Sequence, residues 1–156
     1  MATLTGSRAA STFPVGGPAN QGVLQVAWGI YTLAANPTIA DVVEFCKVPA
    51  GATVIGGYMQ AADLDTNANE TIDIDIGWAA NGTDVADPDG FGNFGVQTGD
   101  VSLHLPVVGI YLPFANIIQD AGFKTFAAET KITGTVVAAA ATGGTGVIKV
   151  VVFYVM

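Results

Sequence analysis

Only five basic residues, one cysteine and one histidine occur among the 156 residues of this chain. Arg8, Lys47, Lys124, Lys131 and Lys149 stand against 13 acidic residues, for a net charge of -8. No face of such a molecule can neutralise a row of phosphates, so no nucleic acid is expected as a partner. Cys46 has no second cysteine to pair with, and inside an apolar run a single thiol behaves as a small hydrophobe. The N-terminus lacks an apolar stretch of signal-peptide length, and the longest apolar run, residues 147–156, is too short to cross a bilayer. Neither classical export nor a membrane is indicated, and synthesis in the cytoplasm fits.

Charge as a whole is also scarce. Charged residues make up 12% of the chain, about half the usual share of a soluble domain, while 51% is hydrophobic and 20 residues are glycine. That is too little charge to coat a free monomer, and the deficit predicts that part of the exterior is covered by other subunits. No basic residue lies between Lys47 and Lys124, whereas Asp63, Asp65, Glu70, Asp73, Asp75, Asp84, Asp87, Asp89 and Asp100 do. This half presents a negative surface, either a solvated face or one docked on a basic partner.

Catalytic groups are as few. Asp100, Ser102 and His104 share one face of an expected strand. Same-face neighbours stand about 6.5 Å apart with parallel side chains and do not converge as a nucleophile, base and orienting acid must. Asp73 and Asp75 also share a strand face, but no cleft or pKa-raising environment is indicated for glycoside hydrolysis, and a solvated face is expected. Asp63, Asp65, Asn67 and Asn69 alternate like the start of a calcium loop, yet Ala68 and Ile74 stand where an EF-hand needs glycine and glutamate. An Asx-rich turn is the simpler reading, with calcium at Asp63 and Asp65 left open. The glycine-rich pieces near the C-terminus lack the lysine and following helix of a phosphate loop. No catalytic residue, no cofactor and no metal ligand is assigned.

What the chain does contain is β-structure. From residue 22 onward, short β-branched and aromatic runs alternate with Gly, Pro, Asn and Asp, the pattern of a sandwich or barrel. Nine strands are expected, at 23–33, 39–48, 53–61, 71–78, 101–105, 107–112, 123–127, 131–138 and 147–155, enough for two packed sheets. In 71–78, Ile72, Ile74, Ile76 and Trp78 alternate with Thr71, Asp73, Asp75 and Gly77, which predicts one core face and one wet face. Val48-Pro49-Ala50-Gly51 has the preferences of a type I turn between two runs that could pair as a hairpin. Residues 147–155 are apolar on both faces and read as a central or subunit-facing strand. Residues 81–99 read as an exposed functional loop, residues 113–122 as one helical turn or more kept short by flanking Pro and Gly, and 138–146 as an Ala/Gly/Thr turn. Residues 1–21, small and polar around Pro14, Gly16, Gly17 and Pro18, read as a flexible N-terminal arm before a single domain at 22–156. The arm is either frayed or ordered across a neighbouring subunit.

The stretch from Ala40-Asp41-Val42-Val43-Glu44-Phe45-Cys46-Lys47 through Val48-Pro49-Ala50-Gly51-Ala52, Tyr58, Asp63-Leu64-Asp65 and Thr71-Ile72-Asp73-Ile74-Asp75-Ile76-Gly77 resembles small virion proteins of tailed bacteriophages, the capsid decoration or cement proteins. It covers about a third of the chain, residues 41–90, and lies in turn and strand patterning. The resemblance implies an all-β, jelly-roll-like antiparallel β-sandwich with an extended N-terminal arm. It also implies a structural role on the outer surface of a virion, with the major capsid protein of a phage as partner and a homotrimer as the expected state. A carbohydrate- or cell-surface-binding jelly-roll module is the alternative, in which Trp28, Tyr31, Trp78, Phe91 or Phe94 would stack on sugars, although Trp78 continues the core-facing isoleucine series.

Overall fold

The structure is a computed structural model that describes residues 3–6, 9–10, 23–97, 109–114 and 123–156. The expected strand at 101–105, the start of that at 107–112, the turn at 115–122, the Asp100, Ser102 and His104 set and most of the arm lie outside the described residues. The described residues form ten strands and no helix: β1 (Thr3–Thr5), β2 (Gln25–Leu33), β3 (Val42–Val48), β4 (Thr53–Ala61), β5 (Asp73–Trp78), β6 (Asp87–Gly92), β7 (Ile110–Pro113), β8 (Lys124–Thr125), β9 (Thr130–Ala138) and β10 (Gly146–Val155).

Two five-stranded sheets result, one ordered β1-β3-β9-β5-β6 and the other β2-β10-β4-β7 with β8 also on β4. Pairing is nested. β2 pairs with β10, β3 with β9, β4 with β7 and β5 with β6, all antiparallel and alternating between the sheets. This is the doubled Greek key of a jelly roll. β1, within the expected arm, adds in parallel to β3, with Thr3 opposite Val42.

The core fills the space between the sheets. Val43, Phe45, Ile72, Ile74, Ile76, Ile132 and Val136 meet Met59, Ile148, Val150, Val152 and Tyr154. At one end Trp78, Phe91, Phe114 and Phe126 form an aromatic cluster, with Phe91 stacked on Phe114 at 5.1 Å and Trp78 tilted on Phe91 at 4.9 Å. Such aromatic pairs add roughly 0.5–1.5 kcal/mol each beyond the area they bury. The alternation of 71–78 places Ile72, Ile74, Ile76 and Trp78 in this core. β10 is central in its sheet, flanked by β2 and β4, as its doubly apolar sequence predicts.

Three expectations are corrected. The hydrogen bond from Ala52 N to Pro49 O defines a turn one residue later than expected, with Gly51 third at φ 84°, so the turn is of type II. It makes no hairpin, because β3 and β4 lie in different sheets and the turn is the corner between them. Residues 81–97 are not one exposed loop either: a loop at 81–86 leads into β6, which carries the fully buried Phe91 into the core. Pro88 is tolerated because β6 is an edge strand with an irregular register on β5. The approach is so close that a Cβ on Gly77 would lie 1.9 Å from Asp87 O, and only glycine fits there. Last, the second face of β5 is not wet, since Asp75 and Gly77 are both buried.

Ile74→Asp should unfold the protein, because it removes a fully buried side chain worth about 2–3 kcal/mol and buries an unpaired charge. Val85→Asp, at a position 84% exposed, should change stability by about 0.5 kcal/mol or less. Thermal melts of the two variants, followed by circular dichroism, check both outcomes.

Candidate interaction face

The outward side of the β2-β10-β4-β7 sheet is built from the cross-strand register. Trp28 lies opposite Val151, which lies opposite Tyr58; Val26 lies opposite Phe153, which lies opposite Gly56; Ile30 lies opposite Lys149, which lies opposite Gln60 and then Tyr111. Because the alternate residues Ile148, Val150, Val152 and Tyr154 fill the core, this set has to point outward. Tyr58 packs on Tyr111 at 5.0 Å and on Phe153 at 6.2 Å between ring centres, so the middle of the sheet carries an aromatic cluster on its outer side.

Charge is nearly absent from this face. β2, with the sequence QVAWGIYTL, has no ionisable group except Tyr31, and Lys149 is the one charged side chain of β10. Val23, Leu24, Val26, Trp28, Ile30 and Val147 are each between 38% and 58% exposed. Scattered apolar residues are ordinary on a protein surface, but a contiguous group on one sheet marks a place where something binds. Among the described residues β2 is also an edge strand, nine residues long with no charge, proline or bulge to blunt it.

The polar clusters found in the sequence have other roles. Asp63, Asp65 and Asn67 each accept the backbone N–H two residues on, at 3.2, 3.3 and 2.8 Å, a run of Asx turns. Asp65 is buried and forms a hub: its Oδ2 also accepts N–H from Thr71 and Ala141, both at 2.8 Å, and its Oδ1 accepts N–H from Thr142 at 3.0 Å. Burial alone would raise this carboxyl, but those four amides outweigh it and hold Asp65 well below the ordinary carboxylate range. With both oxygens turned to N–H donors, Asp65 ties the 63–71 turn to the loop after β9. Asn36 adds a second tie, donating Nδ2 to Ala140 O at 2.7 Å and accepting Ala140 N–H at 3.1 Å.

Asp84 pins the 81–86 loop in a similar way. It takes Lys124 Nζ at 2.9 Å, Asn81 Nδ2 at 2.9 Å and Ala127 N–H at 3.0 Å. The Lys124 and Asn81 hydrogen bonds bring its carboxyl down to about 2 against the opposing effect of burial. On the outer side of the other sheet, Glu44 holds Lys131 at 2.8 Å and accepts Thr5 Oγ1, which fastens β1.

Asp73 and Asp75 also depart from the expected solvated face. Burial, the Phe94 N–H bond that opposes it, and the charges of Asp73 and Asp89 leave Asp75 pushed up to about 6. Burial raises Asp73 too. The backbone of residues 93–97 covers Asp75, so the pair offers no open face to a sugar ring. Of the aromatics weighed for sugar stacking, Phe91 and Trp78 are buried, Tyr31 and Phe94 pack against the core, and Trp28 alone is exposed. The outward Tyr58–Phe153–Tyr111 cluster was not singled out in the sequence, since its members come from three strands and meet only through the register.

No protein-family model and no curated sequence matches the chain. Two of the solved structures that share its fold are chains of phage capsids. One is a chain in the capsid of Ralstonia phage GP4, with a TM-score of 0.74 and 18% identity over 99% of this chain and 98% of that one. The other is a chain in the capsid asymmetric unit of cyanophage Pam1, with a TM-score of 0.63 and 24% identity over 94% of each. Both belong to phage capsids, in line with the resemblance of residues 41–90 to phage virion proteins.

Asp65→Ala should cost about 3 kcal/mol, since it strands several buried N–H donors that each lose a charge-assisted bond. For a chain of this size that is a fall in Tm of about 6–12 °C, measurable by calorimetry. The depressed carboxyl contributes stability above the unfolded-state pKa of about 3.9 and loses it as pH falls through the lower folded value. The gap between parent and variant should therefore be full at pH 7 and narrow below about pH 4, and added calcium or chelator should leave both melts unchanged.

Proposed function

We propose that this chain is a structural, non-enzymatic subunit of a phage capsid, and specifically a decoration (cement) protein. It binds the major capsid protein on the outside of the head as a homotrimer and stabilises the shell by holding adjacent capsid subunits together. The observation that carries this reading is the outward face of β2 and β10, on which Lys149 is the one charged side chain and Val26, Trp28, Ile30 and Val147 are exposed. It accounts for the scarcity of charge, because a surface that is covered in the assembled particle needs no coat of its own. The likeness of the whole fold to two phage-capsid chains supports the same role.

Residues 1–21 serve in this reading as the arm that reaches a neighbour, with its N-terminal end held on this chain where β1 adds to β3 and Gly6 N–H bonds to Glu44 O. Asp87 and Asp89 on edge strand β6 stay toward solvent or toward a basic partner.

The test is a pair of outward substitutions, Val26→Asp with Ile30→Asp, which touch no core position. The parent protein should sediment as a closed trimer at about tens of micromolar and co-purify with phage heads. The double variant should keep its melting temperature within a few degrees, sediment as a monomer and fail to bind heads. A parent protein that is a monodisperse monomer and ignores heads, or a double variant that binds them unchanged, overturns the proposal. Removal of residues 1–21 should leave a cooperative melt and weaken head binding, which a pull-down with purified heads measures.

A further inference from the structure

We propose that residues 93–97 form a proton-sensitive strap across β5, closed firmly in acid and loosened as Asp75 ionises. The strap follows β6 along the open side of β5. Gln97 N–H bonds to Ile72 O at 2.9 Å, Gln97 Nε2 bonds to Ile74 O at 2.7 Å, and Phe94 N–H bonds to Asp75 Oδ1 at 3.2 Å. Closed in this way it leaves Asp75 only 5% exposed. Beside it, Asp73 Oδ1 is buried without a hydrogen-bond partner among the described residues, and so is Oε1 of the buried Gln97. The strap is thus held by three hydrogen bonds, and the buried, unsatisfied polar side-chain atoms of the described residues lie in it or beside it, which favours its local opening.

The charges around Asp75 all have one sign. Asp73 on its own strand and Asp89 on β6 both act on it, and Asp87 stands on the same β6. On β9 its neighbour is the neutral Thr135, and the one cation of that strand, Lys131, is held by Glu44. Residues 93–97 carry no titratable side chain. No cation therefore compensates an ionised Asp75 among these neighbours, and opening the strap to water is what relieves it.

The sign follows from linkage. Burial and the neighbouring carboxylates push closed-state Asp75 up to about 6, whereas an opened carboxyl returns to about 3.9. Opening thus releases a proton, which is neutral in cost below about pH 4 and favours the open state by up to about tenfold per pH unit as pH rises toward 6, levelling off above. The strap is a local device of the fold and holds whether or not the chain decorates a capsid.

Amide hydrogen exchange at pH 4.5 and 7.5, corrected for intrinsic rates, tests this on the Phe94 and Gln97 amides, with Val150 of central β10 as the reference. The strap amides should lose at least about tenfold protection relative to Val150 at the higher pH. Asp75→Asn, whose side-chain oxygen still accepts from Phe94, should remove that loss. Strap protection that is flat with pH, or a loss that survives Asp75→Asn, overturns the proposal. Should the variant not fold, the carboxyl carbon of Asp75 in the parent protein decides the matter by NMR: titration with a midpoint near 6 supports the strap, and a midpoint below about 4.5 refutes it.

Discussion

The antiparallel ladder between β2 and β10 runs unbroken from Gln25 opposite Tyr154 to Leu33 opposite Gly146, and the rest of the sandwich nests inside it. Pairing β2 with β10 sets β3 beside β9 and β4 beside β7, and leaves β5 with β6 as the innermost, most local pair. Most strand pairings are therefore distant in sequence, which costs loop-closure entropy and slows folding relative to local topologies. The same ladder fixes which residues of β10 face inward. Ile148, Val150, Val152 and Tyr154 belong to the core, so Val151 and Phe153 must stand outside beside Trp28 and Val26.

That alternation divides the molecule into two unlike exteriors. One sheet turns out an apolar and aromatic face with a single lysine, which gains most by being covered. The other turns out carboxylates, some clamped by lysine as at Glu44, and some crowded under the 93–97 strap as at Asp75. A subunit that lies with one side against a shell and the other toward water has a use for such asymmetry, and the scarcity of charge then reflects one side only. The ends of the sandwich are held by different means. Asp65 and Asn36 stitch loops at one end through backbone amides, and Asp84 with Lys124 closes the loop over Trp78 at the other.

How much of this was legible depended on which physical signal each element obeys. Strands β2, β4, β5, β9 and β10 announce themselves by β-branched and aromatic runs with period two, and their bounds came out within two residues of those expected. β3 starts three residues later than expected because Ala40 adopts a positive φ of 70° in the turn before it, leaving Ile39 outside the strand and exposed. In sequence β6 resembles a loop, since Asp-Pro-Asp-Gly carries every mark of a turn; it is a strand because Gly77 lets its backbone close in and Phe91 anchors it. Periodicity named the core side of β5 correctly but could not say what covers the other side, because the cover is a later segment docked by tertiary contacts. The hub role of Asp65 was hidden for the same reason, as the amides of Ala141 and Thr142 lie far along the chain. The apolar exterior was foreseen as a shortage of charge, but its location needed the register.

Trp28 stands in the middle of the proposed interface, and hydroxyl-radical footprinting of it in the free protein and in purified phage heads carrying the chain tests the account most directly. If the outward face of β2 and β10 is the attachment surface, modification of Trp28 and Phe153 should fall several-fold in the particle while that of the exposed Val85 loop stays as it is. Equal modification of Trp28 in the two states, or protection confined to the acidic sheet, would contradict it.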